Sequence, residues 1–251
     1  MLRELGPSLG FWRAAEIAAL REVHFVAPVL DLGCGDGFVT SFVLPSVAIG
    51  VDPDAKMTKM AWMRGLYARV EAAKIQNARI IESSMATVMS NSVLEHISDI
   101  DIVLSEVARI LRPGGRLVFT VPSEYFSGSL ALPFSVYGRR RNRRFTHINL
   151  WTVRDWEKHL RCAGMDLEFT RLYLHPSLVR IWDSLELMQQ VHVYNRRLFG
   201  MVWKRLPASF FSTLAGCLSK IDFAADAPAG GRLMVAVKRR SFVPSWNPSV
   251  H

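Results

Sequence analysis

The sequence is poor in cysteine, poor in acids and without long apolar runs, and each shortage excludes something. Its three cysteines, Cys34, Cys162 and Cys217, are odd in number and far apart, which argues against a disulfide framework and a cysteine-built zinc site. The seven histidines show no metal-ligand spacing along the chain, so no metal is expected. A reducing, cytoplasmic setting is the corresponding expectation. The first ten residues hold no apolar core followed by a cleavage site, so no secretory signal is expected there. No charge-free stretch is long enough to span a bilayer. The nearest candidate, 200–221, carries Lys204, Arg205 and Pro207 and suits peripheral contact with a membrane better than crossing it. Acids number 22 against 31 lysines and arginines, giving a net charge of +9. That balance favours anionic partners: phosphates, nucleic acid or an anionic membrane face.

What is present is enough apolar material for a packed core, at 50% of 251 residues. Residues 11–26 read as an amphipathic helix, with Phe11, Ala15, Ala18 and Ala19 on one face and Arg13, Glu16 and Arg21 mainly elsewhere. Val29–Leu32 is a short apolar run before a glycine cluster, as a buried parallel strand and its following turn would be. A helix is expected from Phe38 to Leu44, a second strand at 47–51 ending at Asp52, and a helix at 55–64 closed by Gly65. Strand three is placed at 69–73 rather than 79–82. The crossover to strand four needs about a dozen residues, and too few remain after Glu82. Strand four is 87–90, a helix with Ser98 as N-cap follows, and strand five is 117–121. Ser123 to Leu150 reads as loops, 152–163 as a helix, 166–174 as strand six, 177–221 as a helical insert and 233–237 as the last strand. The expected parts are a core at 1–122, substrate-side loops, helix and strand at 123–174, a helical cap at 175–230, and the last strand with a loose tail at 231–251. The fold class is α/β, a doubly wound and mostly parallel sheet.

The turn Asp31-Leu32-Gly33-Cys34-Gly35-Asp36-Gly37 carries the chemistry. Alternating glycines let a ligand approach main-chain amides closely. A dinucleotide loop would need glycine at position 38, where Phe38 stands. The acids Asp31 and Asp36 would repel a pyrophosphate but suit a cationic ligand such as a sulfonium. Asp52, about 20 residues past Gly33, can accept hydrogen bonds from both hydroxyls of a ribose.

With Gly50-Val51-Asp52, Asn91-Ser92-Val93-Leu94-Glu95-His96 and Arg112-Pro113-Gly114-Gly115, this turn resembles the class I S-adenosylmethionine-dependent methyltransferases, in particular the group acting on small molecules. The resemblance covers residues 25–122. It implies a seven-stranded, Rossmann-like sheet whose last strand runs antiparallel, and S-adenosylmethionine as the cofactor. It also implies that Asp31, Gly33, Gly35 and Gly37 hold the methionine part and Asp52 the ribose. Asn91 would lie near the transferred methyl group, and Leu94 would line the pocket. One departure stands out. After strand three the family commonly has an acid that accepts the adenine amine, and this chain has Lys74-Ile75.

Methyl transfer from a sulfonium needs alignment above all, and a base only where the nucleophile must lose a proton. His147 is the candidate base, with Glu124 and Tyr125 near the substrate. Arg139, Arg140, Arg141, Arg143 and Arg144 could clamp phosphate, Arg141 and Arg144 being the chosen substrate contacts, or form a solvated loop. The DNA-amine pattern of Asn/Asp-Pro-Pro-aromatic is absent after strand four. A small-molecule or lipid-linked, phosphorylated glycan acceptor is therefore expected. The alternatives are an RNA methyltransferase using the arginine segment and a non-catalytic relative.

Overall fold

The computed structural model describes residues 2–132, 134–190, 192–193, 196–197, 203 and 205–240. Two helices, α1 (Leu2–Leu5) and α2 (Pro7–Arg21), precede an alternating half. That half runs β1 (Val29–Leu32), β2 (Val47–Asp52), α3 (Ala55–Met63), β3 (Tyr67–Ala72), β4 (Met85–Asn91), α4 (Ile100–Ile110) and β5 (Leu111–Pro122). Then come α5 (Ser135–Arg144), α6 (Val153–Cys162), β6 (Met165–Tyr173) and α7 (Pro176–Gln189). The two-residue strands β7 (His192–Val193) and β8 (Arg196–Arg197) pair with each other. Helix α8 (Ala208–Leu218) and strands β9 (Ala224–Ala225) and β10 (Gly231–Lys238) complete the described chain.

The main sheet has the order β3-β2-β1-β4-β5-β10-β6-β9. Strands β1 to β5 run parallel, and β10 enters antiparallel between β5 and β6. The strand order reverses between β1 and β4, and a crevice opens beyond the carboxyl ends of strands at such a point. Register brings Asp31 level with Gly50 on one side and Met89 on the other. The turn after β1, Asp52 at the end of β2 and the segment after β4 therefore meet at one edge.

Each sheet face buries its own core. Ile100, Val103, Leu104 and Val107 of α4 pack with Trp156 and Leu160 of α6 against one face. Trp12, Ala15 and Ala19 of α2 and Val179 and Trp182 of α7 cover the other. Local chemistry fixes the helix ends. Asp54 caps α3, accepting from the amides of Lys56 and Met57 at 2.8 and 3.1 Å. Thr152 and Asp155 form a reciprocal capping box at α6. Gly65, at φ +68°, ends α3 in the left-handed region.

Several expectations need correction. The helix expected from Phe38 to Leu44 is a single 3-10 turn, Thr40–Phe42. The residue before α4 is Asp99 rather than Ser98, and it makes no side-chain cap. Glu16, placed away from the apolar face of α2, is wholly buried. The arginine segment is not a loop: it forms α5, and Arg141 turns inward at 3% exposure. The sheet gains an eighth strand because Ala224 and Ala225 pair with the end of β6. Lys204 of the 200–221 stretch lies outside the described residues, as does the tail from 241. No helix among the described residues is long and apolar enough to cross a membrane.

Candidate active site

The glycine turn is built by sterics. Gly33 has φ +74°, and a Cβ there would come 2.3 Å from Cγ2 of Val93. A side chain would therefore push the segment after β4 away from the turn. The amide of Gly35 donates to Oδ2 of Asp52 at 3.0 Å, and the amide of Asp54 donates to Oδ1 at 2.9 Å. Asp52 is thus held in place by main chain on both sides.

A cavity of about 370 Å³ is lined by Gly33, Asp52, Val93 and Ile97, together with Lys74, Gln76 and Asp99. Apolar walls with one fixed carboxylate suit a nucleoside. Lys74 does line this cavity, but so do Gln76 and Asp99. Either can accept a hydrogen bond from an adenine amine, which lysine cannot. Gln76 stands two residues beyond Lys74 in the same connection, and Asp99 comes from the segment ahead of α4. The residues present fit S-adenosylmethionine.

Other residues expected to touch the cofactor are engaged within the protein. Asp31 is 2% exposed, and its Oδ2 accepts from Thr40 at 2.6 Å and from the Tyr67 hydroxyl at 2.7 Å. Burial raises its carboxyl to about 6, against the pull of those hydrogen bonds. Asp36 pairs with Arg64 at 2.9 Å. Asn91 donates to Glu16 at 3.0 Å and accepts from Thr120 at 2.7 Å. Leu94 is fully buried in the core and is not part of the cavity wall. Glu16 is the hub here, taking hydrogen bonds from Trp12 at 2.7 Å, Arg13 at 2.6 Å, Asn91 and Ser92. Its role was hidden because a charged residue in a helix is normally read as solvent-facing.

A second cavity, of about 420 Å³, adjoins the first. Ser92 and His96 line both. The aromatic wall of the second consists of Trp12, Phe126, Phe145 and Trp182, and its polar groups include Arg13, Glu95, Arg144 and His147. Helix α7 supplies Trp182, so the insert does shape this cavity. Arg144 lies 3.5 Å from Glu186 on its rim. Arg141 is not available to a phosphate: it pairs with Asp183 at 2.5 Å and stacks over Phe145 at 4.9 Å. Tyr125 is 38% exposed and stands outside this wall, and Glu124 holds Arg232 through both carboxylate oxygens at 2.8 Å.

His147 is placed by the segment that carries it. The amides of Ile148 and Asn149 donate to the Glu95 carbonyl at 2.8 and 3.0 Å, and the Asn149 side chain donates to the carbonyls of Leu94 and Ile97. These bonds tie 146–149 to 94–97, so residues distant in sequence share one corner. Burial lowers the His147 imidazole to about 4, with the neighbouring His96 adding to the effect. Burial also raises the Glu95 carboxyl to about 8.

A doubly wound sheet with a glycine turn after β1, a fixed carboxylate after β2 and an antiparallel last strand between β5 and β6 defines the methyltransferase type of nucleoside-binding fold. Residues 30–119 match the family described as methyltransferase domain, and together with the fold this match supports a class I S-adenosylmethionine-dependent methyltransferase. It is 28% identical over 151 residues to a ubiquinone biosynthesis O-methyltransferase of Rhizobium rhizogenes, covering 55% of this chain and 60% of the relative. It is 35% identical over 103 residues to an uncharacterized methyltransferase of Mycobacterium tuberculosis, covering 38% and 52%. Among solved structures, geranyl diphosphate C-methyltransferase of Streptomyces coelicolor aligns with a TM-score of 0.60 at 15% identity, over 92% of this chain and 80% of that one. The match to the first of these spans about 60% of the relative's length.

Proposed function

We propose that the chain transfers the methyl group of S-adenosylmethionine to an oxygen of a small acceptor with a flat or apolar body. The observation that carries this reading is the pair of adjoining cavities that share Ser92 and His96. A nucleoside-type cavity beside an aromatic one supports a donor and an acceptor meeting at that junction. When bound, S-adenosylmethionine supplies an electrophilic methyl carbon on a sulfonium, ready for in-line displacement. Asp52 would take the ribose hydroxyls, while Gln76 or Asp99 would take the adenine amine. The turn at Gly33, Gly35 and Gly37 would receive the methionine part.

The chain's task is then to orient the acceptor and accept its proton. Trp12, Phe126, Phe145 and Trp182 would hold the acceptor's flat body and exclude water. An acceptor hydroxyl held there would have to give up its proton on transfer. Its proton passes to the polar corner that includes His147, the base expected from the sequence. The O-methyltransferase relative supports oxygen as the nucleophile. Arg144 on the rim supports an acceptor with an anionic substituent.

The test is incubation with methyl-labelled S-adenosylmethionine and a panel of hydroxylated aromatic and isoprenoid acceptors. Label should appear as a methyl ether on at least one hydroxyl. Cofactor binding without transfer to any oxygen acceptor, together with transfer to RNA or an amine, would overturn the acceptor reading.

A further inference from the structure

The corner at the junction of the two cavities has more ligating atoms than a simple base requires. One ligand atom from each of Glu95, His96 and His147 lies within 4.8 Å of the others. Glu95 is 1% exposed, and its Oε2 has no hydrogen-bond partner among the described residues. Nδ1 of His96 is 3.1 Å from the carbonyl oxygen of Thr146. A carbonyl only accepts, so Nδ1 carries the hydrogen and the lone pair sits on Nε2. That Nε2 lies 3.7 Å from Oε1 of Glu95. Nδ1 of His147 is buried and likewise has no partner among the described residues. The nearest fixed cation, Arg13, is taken by Glu16 at 2.6 Å.

The corner therefore gathers a carboxylate oxygen and two ring nitrogens, two of them unpartnered among the described residues, around one point. A cation shared among the three groups would satisfy them together. The carbonyl bond to His96 also has the form of an outer-shell contact, which fixes the tautomer and aims the other ring nitrogen at a metal. We infer that Glu95, His96 and His147 form a site for one divalent transition-metal ion, open toward the acceptor cavity. Two imidazoles and one carboxylate suit zinc, manganese or iron(II), with the remaining positions left for water or a ligand oxygen. The chain's histidine spacing alone gave no hint of this. The two histidines come together only through the bonds that tie 146–149 to 94–97.

Binding of the ion depends only on this geometry. Its role rests on the proposed reaction: an acceptor hydroxyl coordinated there would lose its proton more easily. The test uses the full-length protein, stripped with a chelator and titrated separately with zinc, manganese and cobalt(II) chlorides. We expect one ion per chain for at least one metal, with visible absorption bands for bound cobalt(II). His96→Ala and His147→Ala should each weaken binding on the order of 10- to 100-fold. Asp52→Asn should leave metal binding intact while weakening binding of S-adenosylmethionine. Absence of saturable binding of all three metals, or an affinity unchanged from the parent in both histidine variants, would overturn the site. Metal binding without any S-adenosylmethionine binding would sink the proposed reaction and leave the site standing. The converse result would do the reverse.

Discussion

Individual residues in this chain are governed by burial as much as by type. Asp31 opens the glycine turn, and its charge suggested a partner for a cationic ligand. The structure instead gives it Thr40 and Tyr67. Its raised pKa has a consequence for stability. Between about pH 4 and pH 6 the folded chain keeps this proton while the unfolded chain has lost it. Stability from this group is therefore present below about 4 and declines as pH rises through about 6. A shift from 3.8 to about 6 corresponds to a loss on the order of 3 kcal/mol. Asp31→Asn removes the titration and keeps an oxygen for the two hydroxyl donors. Denaturant midpoints across pH 4 to 7 should show the variant gaining on the parent as pH rises. Parallel pH profiles for the two proteins would show that Asp31 titrates normally in the fold. Glu16 teaches the complementary lesson. A fully hydrogen-bonded carboxylate inside a helix face cannot be told by sequence period from one in solvent, because two of its four donors, Asn91 and Ser92, meet it only on folding.

At the scale of elements, legibility followed the strength of local signals. Strands β1 and β2 are short apolar runs beside glycine or acid, β4 is a short run between serines, and all were readable. Strand β3 was placed within two residues by crossover length alone, against the more apolar 79–82. Helix α5 was not readable. Five arginines in its ten residues give no apolar stripe, and what it buries is Gly138 and the guanidinium of Arg141 on Asp183. Ion pairing across α5 and α7 thus does the work that apolar side chains do elsewhere. The rest of α5 faces outward. Arg139, Arg140 and Arg143 are exposed, beside Phe134 at 66% and Val136 at 68% exposure. Exposed cations beside exposed apolar residues suit an anionic lipid surface, at about 1 kcal/mol per arginine near it. Contact with such a surface through this face is a prediction that can be tested. The protein should co-sediment with vesicles of mixed zwitterionic and anionic lipid at low salt. Replacing Arg139, Arg140 and Arg143 together by Gln should release most of it, as should raised salt. Retention by the triple variant equal to that of the parent would remove α5 from any membrane role.

Taken as a molecule, the chain places two adjoining cavities at the sheet's switch point. The cavity at Asp52 was legible because it is written within single turns: Gly33 to Gly37, then Asp52. The aromatic cavity was not, because it is assembled from α2, the segments after β4, β5 and α5, and α7. Trp12, Glu95, His147 and Trp182 share one cavity only after the whole sheet has formed. The doubt raised by Lys74 belongs to the same divide. The acceptors that line this cavity, Gln76 and Asp99, stand in the connection before β4 and just ahead of α4, where no local pattern marks them. The central claim is that the first cavity binds S-adenosylmethionine through Asp52. Calorimetric titration of the full chain with S-adenosylmethionine and its demethylated product tests it most directly. The account predicts saturable binding of both at one site per chain, weakened at least tenfold by Asp52→Asn with the fold intact. No heat of binding for either ligand, or an affinity unchanged by Asp52→Asn, would contradict it.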